Sequence, residues 1–96
     1  MTGLPRQRLD VWLFRARLAK TRAEAARLVS EGGVRIVRQG QSRAIDRPSA
    51  TVEAGDTLVF ARAGVLCGLE IIALGRRRGP PREARQLYVE CLQNRD

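Results

Sequence analysis

The first regular pattern along the chain is helical. Over residues 8–18, apolar side chains recur at the spacing of one face of an α-helix. The side chains of that face are Leu9, Trp12, Leu13 and Ala16. Those of a second apolar stripe, on nearly the opposite side, are Val11, Phe14 and Leu18. A helix with two apolar stripes must be buried on two sides. A C-terminal helix or a partner subunit would pack against the second stripe.

A second helix is predicted to begin at Thr21. Thr21 and Glu24 have the spacing of a capping box, in which each side chain satisfies a free backbone amide of the first turn. Its inward residues are Ala25, Leu28 and Val29. Gly32 and Gly33 end the helix and permit a left-handed turn. The short separation of the two helices predicts a compact helix-turn-helix unit.

After Gly33 the pattern becomes that of β-strands. Val34, Ile36 and Arg38 alternate with Arg35 and Val37, so the two sets face opposite sides of a sheet. Residues 38–42 are predicted to form a hairpin turn before a return strand over 43–46. The remaining predicted strands are a short extended piece at 51–52 and longer strands over 57–62 and 65–74.

The end of the chain is predicted to be helical. Pro80 and Pro81 suit the first turn of a helix over residues 82–92. Its inward residues would be Ala84, Leu87, Tyr88 and Cys91. The predicted fold is therefore one α+β domain over residues 8–92, with a core motif over about 8–62. In it, two short helices pack on a small, mostly antiparallel sheet with a C-terminal helix, and residues 1–7 form a flexible lead-in.

Composition narrows the class of function. The 96 residues carry a formal charge of +8, and 17 of the 18 basic residues are arginine, whose planar fork suits phosphate. The absence of histidine removes the commonest general base and metal ligand. We therefore expect no enzyme, metal or cofactor. Without a signal peptide or membrane span, the protein is expected to be cytoplasmic, with Cys67 and Cys91 buried and reduced.

The basic residues of the helical pair form the strongest candidate site. Arg8 and Arg15 lie seven positions apart on one face of the first helix. Arg17, Lys20 and Arg22 cluster where the first helix leads into the second. The Thr21 hydroxyl and the free amides beside it could also hold phosphate. The alternative is a solvated face on which Asp10 and Glu24 neutralise these charges.

An ordered set of motifs resembles the S4-type RNA-binding domain, whose helical pair and hairpin form the alpha-L motif. The matching residues are Arg8-Leu9-Asp10, Trp12-Leu13, Ala16-Arg17, Lys20-Thr21-Arg22, Ala25, Gly32, Val34, Pro48-Ser49 and Gly55-Asp56. Arg77-Arg78, Glu83-Ala84 and Leu87-Tyr88 further resemble the bacterial heat shock protein 15 family. The resemblance implies a small RNA binder that associates with large ribosomal subunits still carrying a nascent chain on tRNA. It also implies a role in recycling such stalled particles after heat stress.

The chain departs from the family pattern at two places. Family members usually carry a basic residue where this chain has Gly33, and Asn-Gly where it has Val37-Arg38. The hairpin of this chain is also several residues longer than in family members. Its arginines, Arg35, Arg38 and Arg43, are expected to supply the missing charge. The predicted RNA-binding residues are therefore Arg8, Arg15, Arg17, Lys20, Thr21, Arg22, Arg35, Arg38 and Arg43. The expected partners are ribosomal RNA, the large subunit and peptidyl-tRNA, with no membrane, and the protein is expected to be a monomer.

Three alternatives remain at this point. A DNA-binding regulator would share the helix-turn-helix, but residues 22–30 contain no Asn or Gln to read bases. A protein-interaction module would use the second apolar stripe of the first helix. An accessory to an RNA-modifying enzyme would use the same RNA surface without its own catalytic domain. Arg76-Arg77-Arg78 fits equally an extension of the RNA surface and a solvated connector.

Overall fold

The fold is α+β, as the sequence predicts. The structure is a computed structural model that describes residues 4–62 and 64–93. In chain order its elements are β1 (Gln7–Arg8), α1 (Leu9–Arg15), α2 (Arg22–Glu31), β2 (Val34–Arg38), β3 (Gln41–Ile45), β4 (Thr51–Val52), β5 (Thr57–Arg62), β6 (Val65–Ile71), α3 (Pro81–Ala84), a 3₁₀ turn (Arg85–Leu87) and β7 (Tyr88–Gln93). The main sheet is antiparallel with strand order β3-β2-β5-β6-β7, and β1 pairs with β4 separately.

The core lies between the main sheet and the helical pair. Strand alternation turns one apolar row of each central strand toward the helices. The buried side chains of these rows are Val34, Ile36, Leu58, Phe60, Leu69 and Ile71. The first stripe of α1 meets them, with Leu9, Trp12, Leu13 and Ala16 all buried. This confirms the predicted division of α1 and the predicted faces of the hairpin.

The first helix is shorter than predicted because the chain reverses at Arg17. The Leu18 amide donates to the Leu13 carbonyl and the Arg17 amide to the Phe14 carbonyl, at 3.0 and 3.1 Å. This pair of bonds is the Schellman ending, in which the residue after the cap is left-handed and usually glycine. Here that residue is Arg17, with φ of 62°. α1 therefore ends at Arg15, and residues 16–20 form the turn into α2.

The second helix begins and ends as its sequence predicts. The Thr21 hydroxyl accepts a hydrogen bond from the Glu24 amide at 3.0 Å, while the Glu24 carboxylate accepts one from the Lys20 amide at 3.0 Å. The carboxylate thus reaches one residue further back than in the standard box. At the other end, Gly33 has φ of 68°, the left-handed conformation that glycine adopts without steric cost. Gly33 therefore suits the turn that leads from α2 into β2.

The predicted C-terminal helix over 82–92 is mostly wrong. Helical structure covers Pro81–Leu87 as α3 and the 3₁₀ turn, and the chain then forms β7 against β6. The free edge of β6 offers a row of backbone partners that an exposed helix could not use. Cys91 is consequently exposed and Cys67 only half-buried, so the prediction of two buried cysteines is also wrong, although both are free thiols.

The predicted lead-in ends earlier than residue 7. Gln7 pairs with Val52, and its side-chain amide donates to the Gly75 carbonyl at 2.9 Å. The predicted strand over 65–74 is also shorter, since β6 ends at Ile71. Residues 1–3 of the predicted lead-in lie outside the described residues.

Candidate nucleic-acid interface

The turn between α1 and α2 presents three basic side chains. Arg17, Lys20 and Arg22 are all exposed, and within residues 4–62 and 64–93 none of them forms a salt bridge. Glu24, the acid nearest in sequence, has one carboxylate oxygen bound to the Lys20 backbone amide. The structure therefore brings these three predicted residues together as uncompensated positive charges. The Thr21 hydroxyl lies among them, with its oxygen capping α2.

Arg17 combines an unfavourable backbone with a fixed side chain. A non-glycine residue in the left-handed region costs about 1–2 kcal/mol. The Nε of Arg17 donates to the Gly79 carbonyl at 2.6 Å, which leaves the other guanidinium donors for a ligand. Residues held in sparsely populated backbone conformations cluster at functional sites. The conformation of Arg17 therefore marks it as a candidate binding residue, independently of its charge.

Arg8 and Arg15 do not form the shared surface expected from their spacing. Arg8 makes a bidentate ion pair with buried Asp10, at 3.1 and 2.9 Å, and remains half-exposed. That hydrogen bond raises the pKa of the Arg8 guanidinium above its ordinary value, with the charge of Asp10 adding to the effect. Arg15 is half-buried and donates to the Gly75 carbonyl at 2.7 Å. Both side chains thus support the fold directly.

The three hairpin arginines are placed differently from one another. Arg43 is exposed on the sheet face that carries the helices, because it pairs with buried Ile36 and shares its side of the hairpin. Arg35 lies on the opposite face and donates to the Ser42 hydroxyl at 2.8 Å. Arg38 forms a bidentate pair with buried Asp56, with both distances 2.8 Å. Of these three arginines, only Arg43 combines exposure with the side of the sheet that bears α1 and α2.

Arg38 and Asp56 hold the sheet to the neighbouring turn. The hydrogen bonds that Arg38 donates to Asp56 raise the pKa of the Arg38 guanidinium, against the opposing effect of partial burial. The same carboxylate accepts a hydrogen bond from the Glu53 amide at 3.0 Å, which fixes the turn between β4 and β5. Most of the Arg38 fork is therefore occupied by the protein itself.

The connector between β6 and α3, residues 72–80, carries the three arginines whose role the sequence left open. Of the three arginines in the connector, Arg76 is exposed and Arg77 pairs with Glu83 at 2.8 Å. Arg78 instead returns to α1, where its guanidinium lies 4.9 Å from the centre of the Phe14 ring. It thereby covers part of the second apolar stripe. Arg85, in the 3₁₀ turn, faces the same region.

The sequence left the role of Arg78 open and did not point to Arg85. The position of Arg78 depends on the connector folding back across α1, a contact between residues 64 positions apart. Arg85 was hidden by the incorrect helix over 82–92, whose periodicity assigned it no role. The available signal was the basic character of residues 76–85 and the proline pair within it.

Other kinds of site find no support in the described part of the chain. No group of histidine, cysteine, aspartate or glutamate in residues 4–62 and 64–93 has the clustering that a metal ion needs. No helix in those ranges is long and apolar enough to cross a membrane.

Comparisons with known proteins give the class first. The helical pair, the following strand and the basic turn between the helices define an S4-domain protein, and residues 7–36 match the S4 domain family. This is the RNA-binding domain type that the sequence motifs predicted.

The comparisons then give the family within that class. The chain is 36% identical over 87 residues to heat shock protein 15 of Escherichia coli strain K12, covering 91% of this chain and 62% of that protein. The counterpart from E. coli O157:H7 gives the same values. The trimeric structure of Vibrio cholerae heat shock protein 15 superposes with a TM-score of 0.75 at 33% identity, covering 91% of this chain and 83% of that one. The chain belongs to the heat shock protein 15 family, and it spans about 62% of the length of its curated relatives.

Proposed function

We propose that the protein binds structured RNA, with ribosomal RNA of the large subunit as its target. The observation that carries this proposal is the group of Arg17, Lys20 and Arg22 at the α1–α2 turn, exposed and without carboxylate partners among the described residues. Phosphate groups supply the charge that such a surface lacks. Membership of the heat shock protein 15 family supports the choice of RNA over DNA.

The role we propose is the recognition of stalled large subunits that retain a nascent chain on tRNA, as part of their recycling after heat stress. In A-form RNA the base edges of the deep major groove are inaccessible to side chains, so a rigid basic surface reads shape and phosphate position. The proposal includes no catalytic step and no cofactor. It places the protein in the cytoplasm with the ribosomes.

One binding experiment tests both RNA binding and the recognition of stalled subunits. The protein is sedimented with free large subunits and with subunits carrying peptidyl-tRNA, in rising concentrations of salt. If about four to six phosphates are neutralised, log affinity should fall with log salt at a slope of roughly −3 to −5. If more protein sediments with subunits carrying peptidyl-tRNA than with free subunits, the proposed recognition of stalled subunits is supported. A slope near zero, or equal affinity for duplex DNA, would contradict RNA recognition by this surface.

Arg17→Gly is expected to separate RNA binding from stability. Glycine relieves the left-handed backbone by about 1 kcal/mol, which roughly offsets the lost hydrogen bond to the Gly79 carbonyl. The free energy of unfolding, measured in urea, should therefore change by less than about 1 kcal/mol. The affinity for large-subunit RNA should fall about three- to tenfold, with a shallower salt dependence. Unchanged affinity in this folded variant would remove Arg17 from the binding surface.

The proposed binding unit is a single chain. Arg17, Lys20 and Arg22 lie within six residues of one another in the sequence, so each copy carries the proposed surface. The Vibrio cholerae relative is described as trimeric, whereas a monomer remains our prediction for this chain.

A further inference from the structure

A basic cleft lies between the α1–α2 turn and the C-terminal segment. Its volume is about 370 Å³, and it is lined by Ala16, Arg17, Lys20, Arg78, Pro81, Ala84, Arg85 and Tyr88. Two buried alanines, Ala16 and Ala84, are 1% and 3% exposed, so small side chains give the cleft its depth. The cleft joins S4-domain residues to residues well beyond the matched range of 7–36.

Four cationic side chains line this cleft, and none of its described lining residues is acidic. Two of the four are held in place by neutral groups. Arg17 donates to the Gly79 carbonyl at 2.6 Å, and Arg78 donates to the Phe14 carbonyl at 3.1 Å. A backbone carbonyl orients a guanidinium without cancelling its charge, whereas a carboxylate would do both. The fold therefore fixes the arginines and leaves their positive charge available.

The remaining lining is apolar or aromatic. The ring of Tyr88 is half-buried and meets Trp12 edge-on, with 6.2 Å between ring centroids, so its orientation is set by the core. Pro81 adds a second rigid apolar surface. The volume is within the range of ligand pockets, about 300–1,000 Å³, and exceeds what a lone phosphate would fill. Cations beside an aromatic ring match the phosphate and the base of a nucleotide.

We infer that this cleft binds one unpaired nucleotide of the RNA, with its phosphate held by Arg17, Lys20, Arg78 and Arg85. The inference rests on the proposed function and adds a contact outside the S4 helical pair. An unpaired nucleotide fits better than a duplex, because unstacked bases can enter a concave site and stack on aromatic rings. The exposed α1–α2 turn would meet helical RNA while the cleft takes a neighbouring unpaired residue.

Arg85→Gln tests the cleft, and Arg82→Gln is its matched control. Both arginines are exposed and lie one helical turn apart, but only Arg85 lines the cleft. Binding is measured with one RNA hairpin prepared blunt-ended and with a short single-stranded overhang. For the overhang RNA, Arg85→Gln should lower affinity about three- to tenfold and reduce the salt slope by about 0.7. Arg82→Gln should lower that affinity much less. For the blunt hairpin, the two variants should have similar affinities.

The outcomes separate this inference from the proposed function. If both variants weaken binding equally while the wild-type protein keeps its steep salt dependence, the cleft assignment fails and RNA binding stands. If Arg85→Gln weakens the blunt hairpin as much as the overhang RNA, the unpaired nucleotide is the wrong occupant. If the wild-type protein binds neither RNA, the proposed function itself fails.

Discussion

Asp56→Asn should lower the free energy of unfolding by about 3 kcal/mol. The Asp56 carboxylate is 1% exposed, and it accepts two hydrogen bonds from Arg38 and one from the Glu53 amide. Removing one member of a buried ion pair costs about 3–5 kcal/mol, because the remaining group is left buried without its counter-charge. Arg38 is partly solvated, which places the expected loss at the lower end of that range. Urea denaturation followed by far-ultraviolet circular dichroism measures it.

Glu83→Gln is the control for this ion pair. Glu83 and Arg77 are separated by the same 2.8 Å, but both side chains are substantially exposed. Exposed pairs contribute little to stability, so the control should unfold near the wild-type denaturant concentration. If Asp56→Asn also unfolds there, the Arg38–Asp56 pair does not hold the hairpin to the β4–β5 turn. Arg38 would then be available to RNA, as the sequence predicted.

The sequence predicted best those features that depend on neighbouring residues. The cap at Thr21 needs only Glu24 three residues later, and the opposite faces of Arg35 and Arg38 follow from strand alternation. The predicted end of α1 is too late because the helix ends at a left-handed residue, Arg17. Glycine usually occupies such a position and so marks the end of a helix in the sequence. Nothing in the local sequence identifies an arginine that will occupy it.

The features that escaped prediction depend on contacts distant in sequence. Residues 88–92 carry a pattern compatible with either a helix or a strand, and the free edge of β6 decides for the strand. The candidate site also has one part set by neighbouring residues and one part set by distant contacts. The cluster at Lys20 and Arg22 is local and was predicted, whereas the cleft exists only because the connector brings Arg78 back to Phe14.

The position of the connector, on which the cleft depends, is in turn fixed by hydrogen bonds from α1. Trp12 donates from its indole nitrogen to the Ala73 carbonyl at 2.9 Å, and Arg15 donates to the Gly75 carbonyl at 2.7 Å. Gly75 itself has little space, since an added Cβ would lie 3.1 Å from the Arg15 Cβ. Side chains of α1 thus fix the path of the chain that delivers Arg78 and Arg85 to the cleft.

Trp12→Ala is accordingly expected to have the largest effect of any single substitution considered. The indole is 0% exposed, and removing such a side chain costs about 3–5 kcal/mol through lost packing and the cavity left behind. In a domain of this size that loss approaches the lower end of the usual free energy of unfolding, about 5 kcal/mol. The variant should be largely unfolded at 37 °C by circular dichroism. A cooperative transition close to that of the wild-type protein would contradict the central position of Trp12 in the core.

Trp12→Phe keeps the folded state measurable and connects the core to RNA binding. Phenylalanine retains most of the packing but cannot donate to the Ala73 carbonyl, which should cost about 1–3 kcal/mol. The connector is then held less firmly, so Arg85 should contribute less to binding of the overhang RNA. In a double-mutant cycle, Arg85→Gln should therefore weaken binding less in the Trp12→Phe protein than in the wild type. An unchanged effect would show that the cleft keeps its geometry without the Trp12–Ala73 bond.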